Sequence, residues 1–226
     1  SDPAVMDGLA QRAANRWDDW RALWTTTATS SDTPLPVPAS IWVSLLGDVA
    51  GFLGEAEIDG AVVFRYYHRA FLETVRDRFL ATKDSRVARH RAIADYFTAK
   101  ARGTDQTKPW ESPHARGFAE CLHHRIEAGE APSAWDCFRD FGFLMQKTRL
   151  GLLDGVLHDL RLLRATLGST SGEKEFRIVD SFFREKTHIL RRGDAEWPSH
   201  KILLQLAIEH ADDSPLTQGA EAWLAA

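Results

Sequence analysis

Apolar residues recur at intervals of three and four along most of the chain, the spacing of one face of an α-helix. The first such pattern covers residues 4–24 and places three tryptophans on one face: Trp17, Trp20 and Trp24. Residues 25–38 are rich in Thr, Ser and Pro and are expected to form a loop. The helical spacing resumes at Ile41 and continues to about Gly54.

A different pattern follows, in which β-branched and aromatic residues fill 61–67. Asp59-Gly60 comes directly before it and is a hairpin-turn sequence, so we expect a partner strand near 55–58. Two helices are predicted next, the second of them capped by Asp84 or Ser85. Two helices, a small hairpin and further helices are the outline of a winged-helix domain, which we assign to residues 1–102.

The second half of the chain contains helical patterns only. A polar joint at 103–108 precedes it. Helix starts are indicated by Ser112-Pro113, Pro132, Pro198 and Ser214-Pro215, and helix ends by Gly129, Gly168 and Gly193. The helix that starts at Pro132 is expected to run through Leu144. Short linkers favour antiparallel packing, so residues 103–226 are predicted to form an all-α bundle or arm.

Composition fits an ordinary globular protein. Of the 226 residues, 44% are hydrophobic and 27% charged, and the formal net charge of −4 gives no general attraction to nucleic acid or acidic membranes. No apolar run is long enough to span a bilayer, and no signal peptide is evident. With only two cysteines we expect a reducing, cytoplasmic location. The last helical pattern continues to the final residue, and we expect a piece of a longer protein.

The sequence lacks the motifs of several common enzymes. It contains no GxxxxGK[ST], GxGxxG, GxSxG or HExxH. A nucleoside triphosphate is therefore not expected to bind in a P-loop of this chain. We also predict no enzymatic activity.

Two metal hypotheses can be formulated. Glu120-x-x-His123 and Glu185-x-x-His188 have the spacing used by di-iron bundles, although two such matches are close to chance for this composition. A second set, Cys121, His123, His124 and Cys137, lacks the paired spacing usual for zinc, so buried thiols and surface imidazoles are favoured.

A basic segment leaves DNA binding open as an alternative. Residues 61–102 carry ten Lys or Arg against four Asp or Glu, and a winged helix can present such a face to phosphates. The arginines alternate with apolar positions, however, as in a solvated or intramolecular face. We therefore do not favour nucleic acid as the partner.

One histidine has a notable position. His68 falls where the predicted hairpin ends and a helix begins, between Arg65 and Arg69. It is placed either to donate to an anion or to form a structural hydrogen bond between strand and helix.

Three segments give the chain a resemblance to a known class. Phe64–Arg69, Phe141–Leu150 and Phe182–Leu190, with Leu204–Ala207 and Ser214 after them, resemble STAND-class signal-transduction NTPases. The similarity is to the winged-helix and helical-arm region of the apoptotic protease-activating factor group, which precedes WD repeats, and it covers most of the chain from about residue 35.

The resemblance implies a role rather than a reaction. In this class the winged-helix histidine contacts the diphosphate of bound ADP, which makes His68 the candidate ADP phosphate sensor of the full-length protein. No cofactor is expected on this chain alone, whereas ADP or ATP is expected in the full-length protein. The implied partners are an upstream P-loop domain and a downstream WD-repeat propeller, joined through protein–protein contacts.

Overall fold

The computed structural model describes residues 39–58, 61–66, 69–105, 109–167 and 173–226. The described chain is mainly helical, with one small antiparallel sheet, which confirms the predicted fold class. It divides into two compact units between Thr82 and Lys83. The patterns predicted for residues 4–24 and 25–38 lie outside the described residues.

The first unit contains a hairpin between helices. Its described elements are α1 (Ala39–Val49), a 3₁₀ turn (Ala50–Phe52), β1 (Leu53–Ile58), β2 (Ala61–Tyr66) and α2 (Arg69–Phe79). Leu53 pairs with Tyr66 and Ile58 with Ala61, so the two strands are joined by the two residues Asp59 and Gly60. This register confirms the hairpin that the Asp-Gly sequence and the β-branched run predicted.

The elements of the second unit that the structure describes are all helices. They are α3 (Lys83–Arg102), α4 (Ala115–Glu127), α5 (Ala131–Phe138), α6 (Phe141–Arg149), α7 (Leu153–Leu167), α8 (Glu173–Leu190), α9 (Ser199–Ile208) and α10 (Pro215–Ala225). Buried aromatic and leucine side chains from these helices form one continuous core, including Phe118, Phe138, Phe143 and Phe183. No helix among the described residues has the length and apolar character that crossing a bilayer requires.

Helix α3 belongs to the second unit, whereas the sequence interpretation placed residues 83–102 in the first domain. Close packing on α4 explains the difference. A Cβ on Gly117 would lie 2.9 Å from the backbone nitrogen of Ala101 and 3.1 Å from the carbonyl oxygen of Phe97, so the two backbones nearly touch. The guanidinium group of Arg125 also bonds Asp95 and Thr98 of α3. The winged-helix identity of residues 1–102 stays a prediction.

Several helix ends differ from the sequence prediction. Helix α3 begins at Lys83, so Asp84 and Ser85 lie in its first turn and do not precede it. Helix α4 begins at Ala115 and not at Pro113, because the ring of His114 provides the cap and accepts a hydrogen bond from the amide of Gly117. The Ser112 hydroxyl instead accepts from the amide of His114 within the preceding loop.

The helix predicted from Pro132 through Leu144 is two helices. Asp140 separates them, since its carboxylate caps α6 by accepting from the amide of Gly142. Its other oxygen accepts from the indole nitrogen of Trp110 at 2.8 Å, which fixes the preceding loop to the same point. Of the other predicted boundaries, Ser214 caps α10 with Pro215 in the first turn, and Gly129 follows α4 with a positive φ of 79°.

Candidate functional site

The predicted sensor position lies at the junction between the hairpin and α2. Strand β2 ends at Tyr66 and α2 begins at Arg69. Tyr67 and His68 fall between them and lie outside the described residues. The role predicted for His68 therefore stays a prediction.

Three aromatic rings hold the elements on either side of this junction together. The ring of Phe71, in the first turn of α2, stacks on Phe52 with centroids 5.1 Å apart and planes 8° apart. It also contacts Tyr66 at 5.0 Å. Aromatic contacts at these distances stabilise the pairing of elements beyond simple area burial. These contacts link the strand end to the helix start.

The described charges beside the junction are positive and exposed. Arg65 and Arg69 are both exposed, and Arg69 Nε donates to Glu73 Oε1 at 2.7 Å. The hydrogen bond to Glu73 raises the pKa of Arg69 above its ordinary value, so the guanidinium group keeps its charge. An exposed pair of this kind contributes little to stability, and the guanidinium group can exchange Glu73 for another anion.

The second unit contains a buried ion pair, and its lysine lies in one of the segments that carry the STAND resemblance. Lys147 of α6 is 0% exposed and Asp159 of α7 is 1% exposed. Lys147 Nζ donates to the Asp159 carboxylate and, at 2.8 Å, to the carbonyl oxygen of Phe118 in α4. Burial raises the pKa of Asp159, and the positive charge of Lys147 opposes that rise. One ammonium group therefore joins three helices.

Sequence reasoning did not single out this pair. Asp159 lies three residues after Val156 and four before Leu163, inside the apolar stripe of α7. Lys147 lies three residues after Leu144, inside the stripe of α6. A charge of each sign within an apolar stripe is the signal that would have identified two buried partners.

A histidine cluster lies where α3 packs on α4. The Nδ1 atoms of His90 and His124 are 2.8 Å apart, a hydrogen-bond distance in which one ring donates and the other accepts. His124 Nε2 lies 3.6 Å from a carboxylate oxygen of Glu120, which favours a proton on Nε2 and makes Nδ1 the acceptor. Burial, with further contributions from His123, His90 and Arg116, lowers the pKa of His124 to about 4. This ring is neutral near pH 7.

The geometry does not assemble the two metal sites considered from sequence. Among the described residues, no group of three or more His, Cys, Asp or Glu side chains is arranged to hold a metal ion. Cys121 and Cys137 are buried free thiols, as the sequence interpretation favoured. Burial raises the pKa of Cys121 to about 12 and also raises that of Cys137, so both thiolates are disfavoured. His123 and His124 are partly buried between helices and are not the surface imidazoles that were expected.

Comparison with known proteins gives one informative similarity. The chain is 34% identical over 64 residues to the human NACHT domain- and WD repeat-containing protein 1. The matched segment covers 28% of this chain and 4% of the human protein. No protein-family model matches the chain. No solved structure matches it.

Proposed function

We propose that this chain is a non-catalytic regulatory and scaffolding part of a STAND-class NTPase. In this proposal it couples the nucleotide state of a P-loop domain to a sensor or effector domain. The observation that carries the proposal is the similarity to a human protein whose name combines a NACHT domain with WD repeats. That combination is the type of protein which the apoptotic protease-activating factor-like resemblance implies.

The two units suit two different tasks. The first presents a strand-to-helix junction with exposed Arg65 and Arg69 on either side of His68, which suits contact with a phosphate delivered by another domain. The second has a continuous core tied by the buried Lys147–Asp159 pair, which suits an arm that transmits force or position without deforming. The proposed partners are an upstream P-loop domain that binds ADP or ATP and a downstream WD-repeat propeller, in the cytoplasm.

DNA binding remains the alternative function, and the structure offers one reason to rank it second. Arg91, in the basic segment, bonds Glu130 at the start of α5, so part of the positive face is used within the fold. A titration of the chain with duplex DNA at several salt concentrations separates the two functions. DNA binding with a steep salt dependence supports the alternative.

The main proposal is tested by the nucleotide content of a longer protein. The coding sequence that precedes residue 1 in the gene is added, and both proteins are purified without added nucleotide. We expect ADP to co-purify with the longer protein at close to one per chain and not with the 226-residue chain. An extended protein that contains no P-loop motif, or that binds no nucleotide, contradicts the proposal.

A further inference from the structure

The hairpin of the first unit presents an exposed apolar surface. Val62, Phe64 and Tyr66 alternate along β2 and therefore point to one face of the two-stranded sheet. They are 69%, 47% and 41% exposed, respectively. We call these three residues the wing stripe. Three large apolar side chains in a row on one face are unusual for an exposed strand and indicate a surface that packs against something.

In the described part of the first unit, Phe71 of α2 contacts Tyr66 at one end of the wing stripe, whereas Val62 and Phe64 stay 69% and 47% exposed. None of its side chains that the structure describes is buried, in contrast to the second unit. Its other exposed large apolar side chains are Trp42, Val43, Leu72 and Phe79. Ring contacts within the described part of the unit include Phe52–Phe71 and Tyr66–Phe71. The described elements therefore bury too little apolar area to form a stable unit alone.

The surface next to the wing stripe is acidic. In the observed register Val62 lies opposite Glu57, and Phe64 lies opposite Glu55. Directly opposed residues of an antiparallel pair point to the same face, so both carboxylates border the stripe. A suitable occupant has an apolar stripe with positive charge beside it.

Residues 4–24 have this pattern. Their apolar positions are spaced by three and four and would form a single stripe on a helix: Met6, Leu9, Ala13, Trp17, Trp20 and Trp24. At 100° per residue, Arg16 and Arg21 fall on the two sides of that stripe, whereas Asp7, Asp18 and Asp19 fall on the opposite half. The fourteen residues between this segment and α1 reach up to about 45 Å, enough to bring it to the hairpin.

We propose that residues 4–24 dock on the wing stripe as an amphipathic helix and complete the core of the first unit. The tryptophans would pack on Phe64 and its neighbours, and whichever of Arg16 and Arg21 faces β1 would lie beside Glu55 and Glu57. The segment would thereby brace the strand that ends two residues before His68. This inference does not depend on the proposed nucleotide role.

The test measures thiol accessibility in the full 226-residue chain. Phe64→Cys places a thiol in the wing stripe, and Ser133→Cys places one at an exposed position of α5 as the reference. The native Cys121 and Cys137 are buried and serve as internal controls for folding of the second unit. We expect a maleimide to label position 64 at least about tenfold more slowly than position 133, because a docked helix must open before the reagent enters. Equal labelling rates overturn the proposal.

Charge placed in residues 4–24 tests whether this segment is what covers the wing stripe. Trp17→Asp with Trp20→Asp should restore fast labelling at position 64, whereas Gln11→Asp with Asn15→Asp adds the same charge on the opposite half and should not. If labelling at position 64 stays slow after the tryptophan changes, another surface covers the wing stripe. If labelling becomes fast on dilution of the protein, a second copy of the chain covers it. Either result overturns the proposal.

A charge exchange distinguishes loss of docking from unfolding of the first unit. Arg16→Glu with Arg21→Glu should speed labelling at position 64, and adding Glu55→Lys with Glu57→Lys should slow it again. Rescue of this kind requires that an arginine position of the segment lies beside the carboxylate positions of β1. If the fourfold variant labels as fast as the Arg16→Glu, Arg21→Glu variant, the assigned docking is wrong.

Discussion

Lys147 and Asp159 form an ion pair that is sealed from solvent within the core of the second unit. The lysine also donates to the carbonyl oxygen of Phe118, so the pair connects α4, α6 and α7. Transferring the two charges of a buried pair out of water costs free energy. Removing one partner leaves the other charge buried and uncompensated. The second unit is accordingly more sensitive to a change at either residue than to the loss of a surface ion pair.

Removing one member of the pair is expected to destabilise the second unit strongly. Lys147→Met leaves the Asp159 carboxylate buried without its counter-charge and should lower the free energy of unfolding by about 3–5 kcal/mol. Urea denaturation followed by far-ultraviolet circular dichroism measures the change. Combining Lys147→Met with Asp159→Leu should recover most of the loss, because no charge then remains buried.

The exposed pair of Arg191 and Asp154 is the matched control. Their side chains are 57% and 82% exposed. Arg191→Ala should change the free energy of unfolding by less than about 1 kcal/mol. A Lys147→Met variant as stable as Arg191→Ala would show that the buried pair does not hold the helices together.

Acid should weaken the α3–α4 packing through His124. Its pKa is lowered from 6.5 to about 4 in the fold, so between these values the unfolded chain binds more protons than the folded chain. Stability from this group is therefore complete above about pH 6.5 and is lost as the pH falls towards 4. His124→Asn keeps an acceptor for His90 but does not titrate. The slope of unfolding free energy against pH over this window should be smaller in that variant.

The control for this titration is His188→Asn, because His188 is exposed on α8. It should leave the slope unchanged. The groups that face His124 are His90 on α3 and His123, Glu120 and Arg116 on α4. A His124→Asn variant with the wild-type slope would show that one of these neighbours, and not His124, dominates the acid response.

Gly117 should not tolerate a side chain despite its helical position. Alanine normally stabilises an exposed helix interior relative to glycine by roughly 0.5–1 kcal/mol. At this site the new Cβ would meet the backbone of Ala101 at 2.9 Å, and a backbone atom cannot rotate away. We expect Gly117→Ala to cost about 1–3 kcal/mol of unfolding free energy. Gly47→Ala in α1 is the control, since nothing lies within 4 Å of its added Cβ. Equal effects of the two changes would contradict the close helix contact.

The sequence predicted those features that depend on local chemistry. The hairpin follows from Asp59-Gly60 and a β-branched run, and the cap at Ser214 follows from a hydroxyl before a proline. Ser112-Pro113 shows where the same rule fails, because His114 competes for the amide of Gly117 and the serine turns back on its own loop.

Features that depend on partners distant in sequence were not predicted. The assignment of α3 to the second unit depends on contacts such as those of Arg125 with Asp95 and Thr98. Arg125 lies about thirty residues from both of them along the chain. The pairing of Lys147 with Asp159 also crosses between helices. Helical periodicity identifies the buried face of a helix but does not indicate which other helix packs against that face.

In the proposed function, this chain reports the nucleotide state of another domain through His68. The most direct measurement is the ADP content of a longer protein that includes the proposed P-loop domain, compared between wild type, His68→Ala and the exposed-site control His188→Ala. The account predicts that His68→Ala loses bound ADP during purification and that His188→Ala retains it. Equal ADP content in all three proteins would contradict the sensor role of His68.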